Sequence, residues 1–275
     1  SGGVAMKNLL HVSKTIKKLS LKVSNRELLK SIKTYTKAFH KFVPYLFSVF
    51  PIETVLTDHL KEKINFNEDS FRILTTVQRD SEFYLEQRDL LEILIDKQKG
   101  KDAEVALESH VNLFGYMGLT NDFASEPWNV EHFKGFFKDF KHPKEDLKRL
   151  VIGRRKELEA YASFAKTLPK DVVASAEILQ DYMWFRNERI SVLKIAQNNL
   201  KPLLIEVANR FQITFEDLIW YKVIELENLL SKGVRVDVSS RKKHFRIELI
   251  DGKLRYIEHE LNQITKKKKV KEIKG

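Results

Sequence analysis

The sequence predicts a mainly α-helical fold, a multi-helix domain of roughly ten helices that ends in a short β-hairpin. From Met6 to about Gly233, apolar residues recur at the three- and four-residue spacing of a helix face. Only ten Gly and six Pro occur in 275 residues, which leaves little material for the many turns of an all-β sandwich or barrel. After Gly233 the pattern changes to alternation, which is typical of strands.

Local signals place the helices along the chain. Short polar residues precede apolar stripes at Asn25 and Asp80, so helices are expected to start there. A long, heavily charged helix is predicted over 144–167. Pro169 opens the next helix, which extends to about Leu200. Loops are expected at 65–70, 98–102, 118–129 and 140–143.

A β-hairpin is predicted at 243–257, because Asp251-Gly252 is a strong two-residue turn between two alternating stretches. The expected organisation of the whole chain therefore has four parts. They are a cloning remnant at 1–5, a helical domain at 6–233, a β-hairpin junction at 234–261, and a flexible basic linker or tail at 262–275 that leads toward a further domain.

Composition excludes several classes of protein. The chain has no cysteine, which rules out disulfide frameworks, thiolate zinc sites and thiol catalysis. The absence of cysteine is also compatible with a reducing compartment, so a cytoplasmic location is expected. No stretch approaches the 18 or more apolar residues that a membrane span needs. A soluble, charged, globular protein is expected.

The net charge of +11 is concentrated at the two ends of the chain. Residues 1–50 hold ten Lys and Arg against a single acid, Glu27, and residues 241–275 hold twelve against five acids. The lysines of the first helices alternate with apolar positions and are most simply a solvated face. Weak, salt-dependent binding of nucleic acid by the basic ends stays open.

Complete catalytic motifs are absent from the sequence. There is no glycine-rich phosphate loop, no His-Glu-x-x-His and no Gly-x-Ser-x-Gly. No two of the eight histidines lie three or four residues apart, which excludes a helical metal pair. Neither catalytic residues nor metal ligands are therefore assigned.

Three aromatic or histidine side chains are nevertheless candidates for a polar or pocket site. His110 lies between Ala106 and Leu113 on or beside a buried helix face, where it is either a phosphoacceptor or general base, or a core histidine with a hydrogen-bonded partner. The core interpretation is favoured, since no partner stands at fixed spacing. Tyr116 and Trp128 occupy aromatic stretches for which core packing is favoured over base stacking.

Two arginines complete the candidate set. Arg186 takes a place in the apolar stripe of the 169–200 helix, and Arg189 follows it by three residues. An arginine that faces the core needs a carboxylate or an anionic ligand. An internal ion pair is favoured, with Glu86, Glu92 and Glu108 among the available acids, and anion binding remains the alternative.

Several stretches carry a family resemblance through their order along the chain. They are Leu74 to Thr76, Glu86 to Leu91, Ala106 to Tyr116 with Pro127-Trp128, Trp184 to Arg189, Leu203 to Arg210 with Glu216 to Leu218, Ile224 to Leu226, and Arg241 with the hairpin around Asp251. Together, from about 20 to 260, they resemble the central helical segment of phosphoenolpyruvate-utilising phosphotransferases of the phosphoenolpyruvate synthase and pyruvate phosphate dikinase type. In those enzymes the segment precedes the mobile phosphohistidine domain.

The resemblance implies a non-catalytic scaffold or linker domain that orients ATP-binding and phosphohistidine domains, supplied in cis or in trans. In such enzymes phosphate passes from ATP through a histidine in a Thr-x-His-x-Ala setting. His110 lies in Ser-His-Val-Asn, so the phosphohistidine role is not carried over to it. ATP and Mg are implied only for the wider family. No cofactor and no activity are expected for this chain alone.

Two alternatives to the scaffold function remain open. One is a nucleic-acid-binding helical module that uses the basic ends. The other is an acceptor-substrate-binding domain of the same enzyme type, in which the stretches 110–128 and 184–189 line a pocket for the molecule to be phosphorylated.

Overall fold

The structure is a computed structural model. It describes residues 2–19, 21–64, 67–120, 123, 125–250 and 253–257, with the backbone alone at 49, 247–250 and 253–256.

The protein is mainly helical, as predicted. None of its described helices is both long and apolar enough to cross a membrane. The helices are α1 (Gly2–Lys17), α2 (Asn25–Phe47), α3 (Val49–Lys63), α4 (Glu68–Leu74), α5 (Glu82–Gln98), α6 (Glu104–Phe114), a 3₁₀ turn (Gly115–Gly118), α7 (Val130–Phe136), α8 (Pro143–Ala165), α9 (Lys170–Arg210), α10 (Phe215–Leu218), α11 (Val223–Lys232) and α12 (Ser239–Lys243).

The predicted helix starts follow from local capping. α2 begins at the predicted Asn25. At the predicted start near Asp80, Ser81 caps α5 by accepting a hydrogen bond from the amide of Tyr84 at 3.2 Å. Pro143 occupies the first turn of α8, where its missing amide proton costs nothing. These signals lie within a few residues of each helix end, which is why the sequence alone finds them.

The chain forms two compact units, each considered over its described residues. Unit 1 comprises Ser1–Leu19 and Thr34–Pro202, and unit 2 comprises Ser20–Lys33 and Leu203–Gly275. The sequence treats 6–233 as one helical domain, because two of the three boundaries between the units, after Lys33 and after Pro202, fall inside the continuous helices α2 and α9.

Residues 2–5, which the sequence sets apart as a cloning remnant, are helical. Gly2 to Ala5 form the first turn of α1. Within unit 1, a Cβ on Gly2 would lie 2.6 Å from the ring of Phe185, so this turn packs closely on α9.

Among the described residues of unit 1, two apolar clusters contribute to the core. The first joins α3, α4, α8 and α9 through Leu60, Leu74, Tyr161, Val172, Ala176 and Leu179. The second joins α5, α6 and α7 through Leu90, Ile93, Leu107 and Phe133. Val172, Ala176 and Leu179 belong to the predicted apolar stripe of α9. That stripe therefore faces the core where the sequence places it.

Unit 2 contains the last helices and two strands, β1 (Arg246–Ile250) and β2 (Lys253–Ile257). The strands pair antiparallel, with Arg246 opposite Ile257 and Ile250 opposite Lys253. The predicted turn residues Asp251 and Gly252, and the predicted linker 262–275, lie outside the described residues.

Candidate functional site

His110 is a fully buried histidine held between two carboxylates of α5. Its exposure is 0%. Nδ1 lies 2.6 Å from Asp89 Oδ2, and Nε2 lies 3.3 Å from Glu86 Oε1. The ring also packs edge-on against Phe133 and tilted against Phe114. The partners that the sequence could not identify are thus one turn apart on a neighbouring helix.

The carboxylates decide the charge state of His110. Burial alone lowers the pKa of the imidazole, but the hydrogen bonds and charges of Glu86 and Asp89 outweigh it, so the pKa lies above its ordinary value. With both ring nitrogens close to carboxylate oxygens, the imidazolium form, which donates from both nitrogens, matches the site. This arrangement ties α6 to α5.

Trp128 packs onto the 3₁₀ turn that carries Tyr116. The amide of Trp128 donates to the carbonyl of Gly115 at 2.8 Å, and its indole covers Gly118 so closely that a Cβ there would lie 2.3 Å from the ring. The indole also stacks on His132 at 4.5 Å between centroids. Core packing, as favoured from the sequence, describes this side chain.

Arg186 forms an ion pair with Glu53 of α3, with Nη1 2.9 Å from Oε2. The partner is none of Glu86, Glu92 and Glu108, the acids named from the sequence. The arginine side chain is 41% exposed, whereas that of Glu53 is 12% exposed. In this ion pair the Glu53 carboxylate is therefore largely buried, and the Arg186 guanidinium is partly exposed to water.

Arg189 is buried although its side chain is charged. Its guanidinium lies 4.9 Å over the ring of Phe50, and its Nε has no hydrogen-bond partner among the described residues. Burial lowers the pKa of Arg189, while the nearby charge of Glu53 opposes that effect. Arg186 and Arg189 thus converge on one acid of α3.

Tyr116 belongs to a small polar cluster around Glu82, at the start of α5. Ser191 of α9 donates its hydroxyl to Glu82 Oε2. Burial, together with hydrogen bonding to Glu82, raises the pKa of the Tyr116 phenol well above its ordinary value. Burial and the charge of Glu82 likewise raise the pKa of Glu188, whereas Arg79 counteracts them.

Glu82 and Glu188 open into a cavity of about 470 Å³ in unit 1, here called the α5–α9 cavity. The cavity is bounded by α8, by α9 and by the segment that leads into α5. Its volume is in the range of small-molecule sites. Its lining consists of Thr76, Val77, Arg79, Ser81, Glu82, Phe83, Tyr84, Arg149, Leu150, Gly153, Arg154, Glu157, Trp184, Asn187 and Glu188.

Two arginine side chains of the lining, Arg154 and Arg79, make contacts that order one wall of the α5–α9 cavity. Arg154 donates from Nε to Asp80 at 2.9 Å and from Nη2 to the carbonyls of Val77 and Arg79 at 2.9 and 3.0 Å, which holds the segment before α5 in place. Arg79 lies 4.4 Å over the ring of Trp184. The segment before α5 and the stacked side chain of Arg79 thus form one wall of the α5–α9 cavity.

A second cavity of about 380 Å³ shares Arg79 and Trp184 with the first. Its other lining residues include Tyr45, Tyr182 and Phe185, so it is the more aromatic of the two. The stretch 184–189, named from the sequence as a pocket wall, does line a cavity. The described residues of the stretch 110–128 supply no lining residue to either cavity, although Tyr116 of this stretch is hydrogen-bonded to the lining residue Glu82.

The sequence did not identify Arg79, Glu82 and Arg154 as site residues, and it named Glu188 only as part of the stretch 184–189. One signal was available on α9, since Trp184, Asn187, Glu188 and Ser191 recur at i, i+3, i+4 and i+7 and therefore share one helix face. The contribution of Arg154 and of the segment before α5 depends on tertiary contacts, for which spacing gives no signal.

The basic first helices present their charges to solvent, as the solvated-face interpretation expects. Leu28, Ile32 and Phe42 are buried on the opposite side of α2. The exposed cations are Lys14, Lys17, Lys18, Lys22, Arg26, Lys30, Lys33, Lys37 and Lys41.

Over the described residues, no group of three or more His, Asp and Glu side chains is arranged to hold a metal ion. Comparison with known protein families, with curated proteins and with solved structures finds no match to this chain.

Proposed function

We propose that this chain is a helical scaffold domain of a phosphoenolpyruvate-utilising phosphotransferase. In this role it orients an ATP-binding domain and a phosphohistidine domain in the cytoplasm and does no chemistry itself. The family assignment within this proposal rests on the ordered resemblance of stretches from about 20 to 260. The mainly helical fold is compatible with it.

The observation that carries the non-catalytic role is the setting of His110. Both ring nitrogens are engaged by carboxylates, and the side chain is fully buried. A phosphoacceptor needs one free nitrogen that can approach a phosphoryl group in line, and neither nitrogen of this ring is free. The histidine is therefore best explained as a structural link between α5 and α6.

The proposal assigns the end of the chain a connecting role. The hairpin predicted at 243–257, with its strands Arg246–Ile250 and Lys253–Ile257, would be the junction from which a mobile domain continues. The basic stretch 262–275 would then serve as the hinge, because it has little apolar surface to bury.

Reconstitution in trans tests the scaffold role. The ATP-binding and phosphohistidine domains of a phosphoenolpyruvate synthase-type enzyme are supplied as separate proteins, and the transfer of labelled phosphate between them is timed with and without this chain. The folded chain is expected to accelerate transfer and the heat-unfolded chain is not. An unchanged rate with the folded chain contradicts the proposal.

A second candidate function is supported by the α5–α9 cavity, namely that the same domain binds the acceptor of the phosphoryl group. The cavity is of small-molecule size, and Trp184, Asn187 and Glu188 of the resembling stretch line it. The test adds a panel of small acceptors to the reconstituted reaction. A phosphorylated product that requires the chain and is lost in Trp184→Leu supports it, and product formation unaffected by Trp184→Leu contradicts it.

A further inference from the structure

The charges around the α5–α9 cavity do not cancel. Each arginine of its lining has an acidic partner of its own. Arg79 Nη2 lies 3.2 Å from Asp181, Arg154 Nε lies 2.9 Å from Asp80, and Arg149 pairs with Asp146. The positive charges at the wall are therefore largely neutralised before any ligand enters.

Two carboxylates of the cavity lining, Glu82 and Glu188, form no ion pair over the described residues, although the charge of Arg79 offsets part of the negative charge at Glu188. Glu82 is hydrogen-bonded by the hydroxyl groups of Ser191 and Tyr116, which are neutral. Over the described residues, Glu188 has neither a hydrogen bond nor an ion pair, and it lines the same cavity as Glu82, so two carboxylates of like charge repel each other across one cavity. A cation placed between these carboxylates would relieve that repulsion and replace the lost hydration.

The aromatic wall of the cavity favours an organic cation over a simple metal ion. Trp184 already holds the guanidinium of Arg79 at 4.4 Å from its ring, which shows that this indole accommodates a positive charge on its face. Tyr84 and Phe83 add further aromatic surface to the lining. An ammonium group with an attached apolar body would use both features of the cavity, the carboxylates and the rings.

We propose that the α5–α9 cavity binds a small organic amine, with its ammonium group between Glu82 and Glu188 and its apolar body against Trp184. The proposal deepens the second candidate function by naming the class of molecule in that cavity. It does not require phosphoryl transfer, so amine binding and acceptor phosphorylation can succeed or fail separately.

Three probes of nearly equal shape and different charge test the proposal on the full chain. They are tryptamine, which is cationic, tryptophol, which is neutral, and indole-3-acetate, which is anionic. Their affinities are measured by isothermal titration calorimetry at neutral pH, with no phosphoryl donor present. Tryptamine is expected to bind about tenfold more tightly than tryptophol, and indole-3-acetate more weakly than either.

Matched variants assign the charge preference to the cavity. Glu188→Gln keeps the shape of the side chain, and it is expected to remove most of the preference for tryptamine over tryptophol. Glu177→Gln, at an exposed position of the same helix, is expected to change nothing. Trp184→Leu is expected to weaken tryptamine and tryptophol alike, and circular dichroism confirms that each variant is folded.

Several results would overturn the proposal. They are no binding of tryptamine at millimolar concentration, equal affinity for tryptamine and tryptophol, tighter binding of indole-3-acetate, and a preference for tryptamine that survives Glu188→Gln. The third result would mean that the arginines, and not the carboxylates, set the potential in the cavity.

Discussion

Arg241 and Glu225 face each other in a two-point ion pair, with Nη1–Oε2 and Nη2–Oε1 both at 2.6 Å. The arginine side chain is only 3% exposed, and Nη1 also donates to the carbonyl of Trp220 at 2.9 Å. The Glu225 carboxylate also accepts from the amide of Lys222 at the start of α11. Arg241, a cation of the basic C-terminal stretch, thus joins α12 to α11 through an internal ion pair.

Replacing Arg241 by Met is expected to destabilise the protein by about 3–5 kcal/mol, because it strands a nearly buried carboxylate. Urea unfolding followed by circular dichroism measures the loss. Lys242→Met is the matched control, since Lys242 pairs with Asp217 at a half-exposed site and its loss should cost less than about 1 kcal/mol. Equal losses in the two variants would contradict the structural role of Arg241.

His110 is expected to stabilise the protein in a pH-dependent way. Since its pKa is raised in the folded state, its contribution is fully present below the unfolded pKa of about 6.5 and is lost as the pH rises through the folded value. The difference in unfolding free energy between the wild type and His110→Leu should therefore shrink as the pH rises above about 6.5 and through the raised folded pKa of His110. A difference that grows with pH would refute the carboxylate-held imidazolium.

Titration of the imidazole by NMR gives an independent check of the same arrangement. The His110 signal, assigned by its loss in His110→Leu, should titrate above the ordinary value, and Asp89→Asn should lower its midpoint because one carboxylate partner becomes neutral. A midpoint that does not respond to Asp89→Asn would mean that the 2.6 Å contact does not govern the charge of the ring.

Arg186→Met is expected to cost about 1–2 kcal/mol, less than the full cost of breaking a buried pair. Water reaches the arginine, and the charge of Arg189 still acts on Glu53 after Arg186 is removed. Adding Glu53→Gln to the variant should recover part of the loss, as a double-mutant cycle by urea unfolding would show. A double-mutant cycle that shows no coupling energy would contradict the ion pair between Arg186 and Glu53.

Gly115→Ala is expected to destabilise the protein by about 1–3 kcal/mol, since the new Cβ would lie 2.7 Å from the carbonyl oxygen of Trp128. Gly135→Ala in α7 is the control, because nothing lies within 4 Å of its Cβ position and alanine favours helix. Thermal unfolding should show a lowered Tm for the first variant and an unchanged or raised Tm for the second. The reverse order would contradict the packing of Trp128 on the 3₁₀ turn.

The helices were predictable from sequence because their signals are local. Ser24 and Ser81 cap the starts of α2 and α5, next to Asn25 and Asp80, the residues that the sequence names. The partner of Arg186 was not predictable, since Glu53 lies 133 residues away and neither periodicity nor spacing encodes that contact. Of the α5–α9 cavity, the sequence indicated only the helix face that carries Trp184. The other walls come from distant segments, which polar contacts such as that of Arg154 with Asp80 bring together.

The measurement that tests the central claim most directly is phosphoryl labelling of the isolated chain. The folded protein is incubated with labelled ATP and Mg, and separately with labelled phosphoenolpyruvate, and protein-bound label is counted. The scaffold account predicts no label, because His110 is buried with both ring nitrogens engaged. Stoichiometric, acid-labile label that disappears in His110→Leu would contradict the account and make His110 a phosphoacceptor.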